Sequence, residues 1–259
     1  MKTKTLMAMA ALALLVALPA RAAEVVSANT VGYQKIQLHA GYNMIGAQFI
    51  KVGGDKLNVA DNDFLPDSSV GGVDTTSYEF TTYIMPWMGT GYAESFYWAG
   101  EAGLGEDYDN KWLDSDWLPV SREFDASEGT WLWTPSAGSI TVSGEVITTN
   151  VTVQLTPGYN MVCNPFPCTT TLSSIVPAAS MSGVDTTSYE FTSYIMPWTG
   201  TGYAESIYWS GEAGMGEDYD NKWLDSDWLP VSKTFARGEG FWLYTPTACS
   251  ITFVYPVAE

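Results

Sequence analysis

The sequence predicts an all-β protein made of two tandem modules, and three observations support this fold class. Short segments of alternating apolar and polar residues recur along the chain, and many are rich in β-branched residues. Glycine and proline interrupt the chain about every ten residues, and helical apolar spacing is absent beyond the amino terminus. The chain also contains an internal duplication. We therefore expect two tandem β-sandwich or small β-barrel modules after a cleaved signal peptide.

The amino terminus has the pattern of a secretory signal. Lys2 and Lys4 precede an apolar run from Leu6 to Leu18, and Pro19-Ala20-Arg21-Ala22 supplies the small residues that signal peptidase requires. The apolar run is shorter than the roughly 20 residues that span a bilayer. We expect residues 1–22 to be removed and the mature protein to be secreted, to the periplasm, the outer surface or the extracellular space, without a transmembrane anchor.

The duplication defines the domain organisation. Val73–Pro135 aligns without gaps on Val184–Pro246 at an offset of 111, with 51 of 63 positions identical. Upstream, Gly41–Ile45 matches Gly158–Val162 at an offset of 117. We expect module 1 at residues 23–148 and module 2 at 149–259, each of about 115 residues and long enough to bury its own core. Because identical positions are inherited from the duplication, the differences between the copies are more informative.

Period-two alternation places individual strands. The predicted strands are Lys35–Leu38, Tyr78–Ile84, Ser139–Ser143 and Val151–Leu155. In the second of these, Tyr78, Phe80 and Ile84 are expected on one face. A brief helix is expected over Leu172–Ala179.

Short motifs open and close each module. The opening motif is Gly-Tyr-Asn-Met-Ile-Gly at 41–46, and the closing motif is Glu-Gly-Thr-Trp-Leu at 128–132, answered by Gly-Glu-Gly-Phe-Trp-Leu at 238–243. These motifs resemble those of uncharacterised secreted bacterial β-modules, which begin with Gly-Trp/Tyr-Asn-Leu-Ile-Gly and end with Gly-x-Gly-Tyr/Phe-Trp-Leu. Ser127 departs from the pattern at the first closing glycine. The resemblance implies an extracellular or cell-surface, non-catalytic and often repeated module, and it supplies no ligand or site residues.

Composition excludes several functions. The chain has 29 Asp and Glu against 11 Lys and Arg, a net charge of −18, so a polyanion such as nucleic acid is repelled. The one histidine, His39, corresponds to Thr156, which leaves no material for a His-based zinc site or a Ser-His-Asp relay. Carboxylate pairs such as Glu94 with Asp107 would need a glycosidase cleft, which sequence spacing does not show. We expect the protein not to be an enzyme.

An acidic segment recurs at Gly105–Trp117 and Gly216–Trp228. Ca²⁺ takes six to eight oxygen ligands from such carboxylates and carbonyls, although the spacing is not that of an EF-hand. The alternative is a solvated acidic turn whose Asp side chains accept hydrogen bonds from local amides. The candidate calcium ligands are Asp107, Asp109, Asp114, Asp116, Asp218, Asp220, Asp225 and Asp227.

Aromatic residues surround this segment. Flat rings beside carboxylates suit sugar rings, and the same residue types dominate protein interfaces. Trp87, Trp98 and Trp131 are expected in the core. The candidate ligand-binding residues are Tyr92, Trp112, Trp117, Tyr203, Trp223 and Trp228.

Three cysteines allow at most one intramolecular disulfide. Gly46 and Gly138 of the first copy correspond to Cys163 and Cys249 of the second, and this paired change predicts a Cys163–Cys249 bond. The alternative is two independent thiols. Cys168 is the spare residue.

Two functions remain. The first is an exported, non-catalytic structural or assembly protein of the cell surface, whose partners are other surface proteins or itself. The second is a carbohydrate-binding protein with two similar aromatic and acidic sites, with calcium as a possible cofactor and polysaccharide as its partner. Burial of Trp112, Trp117, Trp223 and Trp228 would favour the first, and exposure of coplanar rings the second.

Overall fold

The computed structural model describes residues 30–54 and 56–256. The chain is all-β, with 44% strand and 3% helix, and its small antiparallel sheets lie in a propeller-like ring. The all-β part of the predicted fold class is confirmed. The predicted signal peptide lies outside the described residues, and within them no helix is long and apolar enough to cross a bilayer.

The two copies, called here the first and second repeats, contain matching series of short strands, except that the first repeat has one more at Phe49–Ile50. In the first repeat the strands are β1 Val31–Leu38, β2 Gly41–Gly46, β3 Phe49–Ile50, β4 Leu57–Asn58, β5 Phe64–Pro66, β6 Val73–Asp74, β7 Glu79–Phe80, β8 Tyr83–Pro86, β9 Phe96–Trp98, β10 Trp112–Leu113, β11 Glu123–Phe124, β12 Gly129–Thr134 and β13 Gly138–Val146. In the second they are β14 Val151–Leu155, β15 Gly158–Cys163, β16 Thr170–Thr171, β17 Ile175–Pro177, β18 Val184–Asp185, β19 Glu190–Phe191, β20 Tyr194–Pro197, β21 Ile207–Trp209, β22 Trp223–Leu224, β23 Thr234–Phe235, β24 Gly240–Thr245 and β25 Cys249–Phe253. Short 3₁₀ helices lie at Val59–Asp61 and Leu172–Ser174.

Three of the predicted strands are confirmed. Lys35–Leu38 lies within β1, Ser139–Ser143 lies within β13, and Val151–Leu155 is β14. The expected helix over Leu172–Ala179 is reduced to the 3₁₀ turn, because the chain enters β17 at Ile175.

The single strand predicted over Tyr78–Ile84 is wrong. Tyr78 lies in a turn with a φ of 57°, and residues 81 and 82 separate β7 from β8. This break shifts the phase of the alternation, so Phe80 is half-buried at the surface whereas Ile84 is 2% exposed in the core. The two side chains therefore do not share a face.

The core of the first repeat draws its side chains from several sheets. In the first repeat a five-stranded antiparallel sheet has the order β10-β9-β8-β12-β2, and a smaller sheet is built on β13, which pairs with β1, β3 and β5. Ile84 and Leu132 from the first sheet meet Ile140 and Val142 from the second in one buried cluster. Burial of each such side chain contributes roughly 1.5–3 kcal/mol.

The second repeat follows the same plan. Its five-stranded sheet has the order β15-β24-β20-β21-β22, and its smaller sheet has the order β14-β25-β17. The opening motif pairs with the closing strand in both repeats, from Gly41↔Thr134 to Gly46↔Gly129 in the first and from Gly158↔Thr245 to Cys163↔Gly240 in the second. The two motifs therefore lie side by side in each larger sheet.

The repeats pack on each other through tryptophan and methionine side chains. The buried members of this interface cluster are Met44, Trp131, Met161 and Trp242, and the half-buried members are Met85, Trp87, Met196 and Trp198. Every residue from the first repeat has its counterpart in the second. The interface therefore has approximate two-fold symmetry.

Reciprocal contacts hold the interface together. The Trp87 ring meets Trp242 edge to face at a centroid distance of 5.0 Å, and the Trp87 Nε1–H donates to the Tyr159 carbonyl oxygen at 2.7 Å. The counterpart contacts are Trp198 with Trp131 at 4.9 Å and the Trp198 Nε1–H to the Tyr42 carbonyl at 3.1 Å. Each indole thus buries its ring and satisfies its donor across the interface.

Close backbone approach at the centre of the interface requires glycine. A Cβ atom on Gly46 would lie 2.1 Å from Cys163 Sγ and 2.7 Å from the Glu128 carbonyl oxygen. A Cβ atom on Gly240 would lie 2.5 Å from Met44 Cγ. Larger side chains at these glycines would force the repeats apart.

The cysteines correct the predicted disulfide, because Cys163, Cys168 and Cys249 are all free. Cys163 Sγ lies at the interface, 3.5 Å from the Ala47 carbonyl oxygen, and burial raises the pKa of its thiol. Cys249 Sγ instead lies 3.5 Å from Oγ1 of Thr245, which pairs with Gly158 at the far end of β15 from Cys163. Five residues of strand span roughly 16 Å, whereas a disulfide needs Cα atoms within about 7 Å.

Candidate functional site

A row of aromatic side chains crosses the outer face of the five-stranded sheet in each repeat. In the first repeat, Tyr42, Trp133, Tyr83 and Tyr97 lie opposite one another on β2, β12, β8 and β9. Because side chains alternate between the faces of a strand, the neighbouring Leu132 points into the core. The second repeat carries the equivalent row Tyr159, Tyr244, Tyr194 and Tyr208.

Rings within each row, and one phenylalanine beside it, cover one another's faces. Tyr83 stacks on Trp133 with an interplanar angle of 11°, and Phe80 stacks on Tyr97 at 22°. The equivalent angles in the second repeat are 19° for Tyr194 with Tyr244 and 20° for Phe191 with Tyr208. Stacked rings stand on edge, so the row presents ring edges and hydroxyls to solvent rather than a flat platform of ring faces.

The tyrosine hydroxyls of the row bond to each other. Tyr42 Oη and Tyr83 Oη are 3.3 Å apart, and Tyr159 Oη and Tyr194 Oη are 3.0 Å apart. Burial, followed by the hydrogen bond with Tyr42, raises the pKa of Tyr83 to about 12. The same causes raise the pKa of Tyr194, with Tyr159 as its partner. These phenols therefore stay protonated at neutral pH.

Each row ends in an open cleft that we call the aromatic cleft. In the first repeat Trp117 leans on Phe80 at a centroid distance of 4.6 Å. Tyr78, Leu104, Tyr108 and Trp117 line the first aromatic cleft, with a volume of about 430 Å³. Tyr189, Met215, Tyr219 and Trp228 line the second, with a volume of about 290 Å³. The candidate residues Trp117 and Trp228 are therefore joined at the surface by two tyrosines each.

Two of the predicted ligand-binding tryptophans are buried instead. Trp112 is 1% exposed, packs on Trp98 at 5.4 Å, and donates from Nε1 to the Phe64 carbonyl oxygen at 2.9 Å. Trp223 is its counterpart and donates to the Ile175 carbonyl oxygen at 3.2 Å. Their prediction as surface residues is wrong, because both belong to edge strands whose side chains close the core.

The other predicted pair lies beside the interface between the repeats. Tyr92 is 50% exposed, its hydroxyl accepts a hydrogen bond from Trp131 Nε1 at 3.1 Å, and its ring packs edge to face on Trp87. Tyr203 makes the same contacts with Trp242 and Trp198. The six predicted residues thus occupy three different environments in each repeat's fold rather than one site.

The acidic segment uses two of its carboxylates to bind its own backbone. Asp109 accepts hydrogen bonds from the Leu104 and Gly105 amides, at 3.0 and 3.3 Å. Asp114 accepts from the Asp116 and Leu118 amides, at 2.9 and 2.8 Å. Asp220 and Asp225 repeat these bonds in the second repeat. These contacts are those expected for the alternative to calcium, an acidic turn whose Asp side chains accept hydrogen bonds from local amides.

The remaining predicted calcium ligands, Asp107, Asp116, Asp218 and Asp227, are exposed. Among residues 30–54 and 56–256, no group of three or more His, Cys, Asp or Glu side chains is placed to hold a metal ion. Calcium binding stays a prediction.

Sequence reasoning missed the aromatic row and the tyrosines of the clefts. The closing strand contains a pattern that could have predicted the row, because Trp133 lies between Leu132 and Thr134, which are both buried. An aromatic residue at the outward position of a strand marks an apolar outer face, and the same pattern occurs at Tyr83 beside Ile84. Which outward aromatic residues lie side by side depends on strand register, which the sequence does not show.

Comparisons with protein families, with curated proteins and with solved structures found no match to this chain. The fold and the site define an all-β protein with two equivalent aromatic surfaces.

Proposed function

We propose that this protein is an exported, non-catalytic assembly protein that holds other surface proteins through its two aromatic clefts. In this proposal each repeat is a β-sandwich module, residues 1–22 are a cleaved signal, and the protein acts at the cell surface or in the extracellular space. The protein recognises its partner and does not transform it.

The duplicated aromatic cleft is the observation that carries this proposal. Each cleft combines rings with one aliphatic side chain, and exposed apolar patches of this kind are typical of protein interaction sites. Tyrosine and tryptophan dominate binding energy at such interfaces because they bury large areas with few rotatable bonds. Two equivalent clefts on one chain also increase the effective affinity for a partner that offers two matching groups.

The packing between the repeats supports a scaffold. The interface cluster buries tryptophans from both halves, and both Trp87 and Trp198 donate hydrogen bonds to the opposite half. Such an interface keeps the two clefts at a constant separation. A constant separation favours a partner with regularly spaced groups.

Carbohydrate binding is the second candidate, favoured by one observation. The exposed rows place tyrosine hydroxyls and ring edges side by side, and sugar hydroxyls pair with such groups. The stacking within the rows argues against it, because sugars bind best to open ring faces. The clefts offer such faces but few polar groups beyond tyrosine hydroxyls.

The test compares the wild-type protein with the double variant Trp117→Ala/Trp228→Ala, each immobilised at equal density. Both are exposed to a panel of insoluble polysaccharides and to the purified exported proteins of the source cell, with calcium or with a chelator. The proposal expects wild type to retain one or more exported proteins, the double variant to lose them, and neither to retain polysaccharide. If the wild-type protein retained a polysaccharide and the double variant did not, the carbohydrate alternative would replace the proposal.

A further inference from the structure

The aromatic clefts are built from residues in an unusual backbone conformation. Tyr78 and Trp117 have φ values of 57° and 66°, and their counterparts Tyr189 and Trp228 have 59° and 64°. A bulky aromatic residue rarely adopts positive φ, because its Cβ then crowds the following carbonyl oxygen. The fold holds two large rings of each cleft in place against this preference.

Aspartate side chains stabilise these turns. Asp74 accepts hydrogen bonds from the Thr76 amide at 2.8 Å and the Ser77 amide at 3.4 Å, directly before Tyr78. The amide of Trp117 donates to the Asp114 carbonyl at 3.1 Å, while the Asp114 carboxylate accepts from the amides on either side of Trp117. The rings are therefore positioned before any ligand arrives.

Acidic residues are the sequence neighbours of the cleft residues in both repeats. In the first repeat Tyr108 is flanked by Asp107 and Asp109, and Trp117 is preceded by Asp116. Within residues 101–121 six carboxylates accompany one basic residue, Lys111, and the second repeat has the same composition around Lys222. Asp109 and Asp114 are bound to amides, whereas Glu106, Asp107 and Asp116 are exposed.

We propose that each aromatic cleft binds a cationic side chain, an arginine or lysine on a basic segment of an exported protein partner. Ring faces attract cations through their quadrupole, and three aromatic rings line each open cleft. The exposed carboxylates add to this attraction and repel anions. Arginine fits best, because its weakly hydrated guanidinium stacks on rings and also pairs with carboxylates.

Two other occupants fit less well. A neutral apolar side chain would contact the rings but would gain nothing from the carboxylates. A sugar would contact the rings and could pair with the exposed carboxylates, but it would gain nothing from their negative charge, whereas a cation gains from the rings and the charge together. This inference deepens the proposed assembly role and rests on it for the identity of the partner as a protein.

The experiment titrates the full chain with two short acetylated and amidated peptides that differ at one position. One is Gly-Gly-Arg-Gly-Gly, and the other carries citrulline, the neutral isostere of arginine, in place of arginine. Calorimetry and tryptophan fluorescence report the affinity. We expect the arginine peptide to bind at two sites, about tenfold more tightly than the citrulline peptide, with affinity falling as salt rises.

Variants separate the rings from the charges. Trp117→Ala/Trp228→Ala should weaken the arginine peptide about tenfold, and Trp117→Phe/Trp228→Phe should weaken it less, because a cation interacts best with tryptophan. Asp107→Asn/Asp116→Asn with Asp218→Asn/Asp227→Asn should weaken the arginine peptide and leave the citrulline peptide unchanged. Tyr33→Ala, an exposed aromatic outside both clefts, is the control and should change nothing.

Three results would overturn the inference. The first is equal affinity for the arginine and citrulline peptides. The second is unchanged arginine affinity in Trp117→Ala/Trp228→Ala at an unchanged melting temperature. The third is tighter binding of choline or phosphatidylcholine vesicles than of the arginine peptide, which would assign the clefts to a quaternary ammonium ligand. If the arginine peptide binds but no exported protein is retained, the cation site stands and the assembly role fails.

Discussion

The two repeats are identical in their acidic turns, and they differ at one position where they touch each other. The acidic turn makes the same bonds in both, with Asp114 and Asp225 each accepting from two amides at 2.8–3.0 Å. At the interface, by contrast, Gly46 of the first repeat faces its own counterpart, Cys163. Two equivalent residues that meet near a two-fold axis compete for the same space.

This contact explains one of the two glycine-to-cysteine differences from which the sequence predicted a disulfide, the one between Gly46 and Cys163. A side chain on Gly46 would overlap Cys163 Sγ, so only one of the two positions can carry a side chain. The difference is therefore steric, and no redox chemistry is needed to account for it. At this contact at least one of the two equivalent positions has to be glycine.

Loss of a tryptophan from the interface between the repeats should have the largest effect on the stability of the protein. Trp131→Ala removes a ring that is 6% exposed and contacts Trp198 across the interface, and we expect a loss of about 3–5 kcal/mol in the free energy of unfolding. Trp242→Ala should match it by symmetry. Denaturant unfolding measures both, with the half-buried Trp133→Ala as the control that loses less. A loss below about 1 kcal/mol in both variants would contradict a shared interface.

The steric origin of the Gly46 and Cys163 difference can be tested directly. Gly46→Ala should reduce the free energy of unfolding by about 1–3 kcal/mol, because the new Cβ would overlap Cys163 Sγ. The double variant Gly46→Ala/Cys163→Gly should recover part of that loss. Additive effects of the two single substitutions in a double-mutant cycle would show that the residues do not compete.

A smaller effect is expected at the closing motif, where Ser127 corresponds to Gly238. Ser127 has a φ of 70° and Gly238 a φ of 63°, so Ser127→Gly relieves strain and should stabilise the protein by about 1 kcal/mol. The reverse change, Gly238→Ser, should destabilise it, since a Cβ there would lie 1.8 Å from Gln48 Nε2. Thermal unfolding compares the two variants, and destabilisation by Ser127→Gly would contradict the strain.

The smallest expected effect is a difference in acid sensitivity. Hydrogen bonds from Ser139 and Ser69 hold the pKa of Asp67 below its ordinary value of 3.8, whereas the second repeat has Ala178 at this position. A lowered pKa stabilises the fold above the ordinary value, and that contribution is lost as pH falls below it.

Asp67→Ala introduces the residue that the second repeat has at this position. It should therefore lower the free energy of unfolding at pH 7, and this loss should shrink as the pH falls below 3.8. Ser250→Ala serves as the control, because the hydroxyl of Ser250 has no carboxylate opposite it in the second repeat. Melting temperatures measured across this range check the prediction, and a pH-independent difference would contradict it.

The sequence by itself determined the fold class, the duplication and the equivalence of the two surfaces. Alternation is a local property, so β13 and β14 could be placed from their residues alone, and the duplication is visible by aligning the chain with itself. The tertiary structure decided which side of the molecule each aromatic residue occupies. Trp112 and Trp117 are five positions apart in one acidic segment, yet the first closes the core and the second lines a cleft.

The physical reason is that burial depends on what packs against a side chain. Trp112 is buried because it packs on Trp98 in the core, and the Phe64 carbonyl that accepts its indole hydrogen bond lies 48 positions away in the sequence. Cys163 is free because the opposite repeat, rather than Cys249, lies beside it. Register within the sheets and the packing of one repeat on the other select these neighbours, and both arise only when distant segments meet.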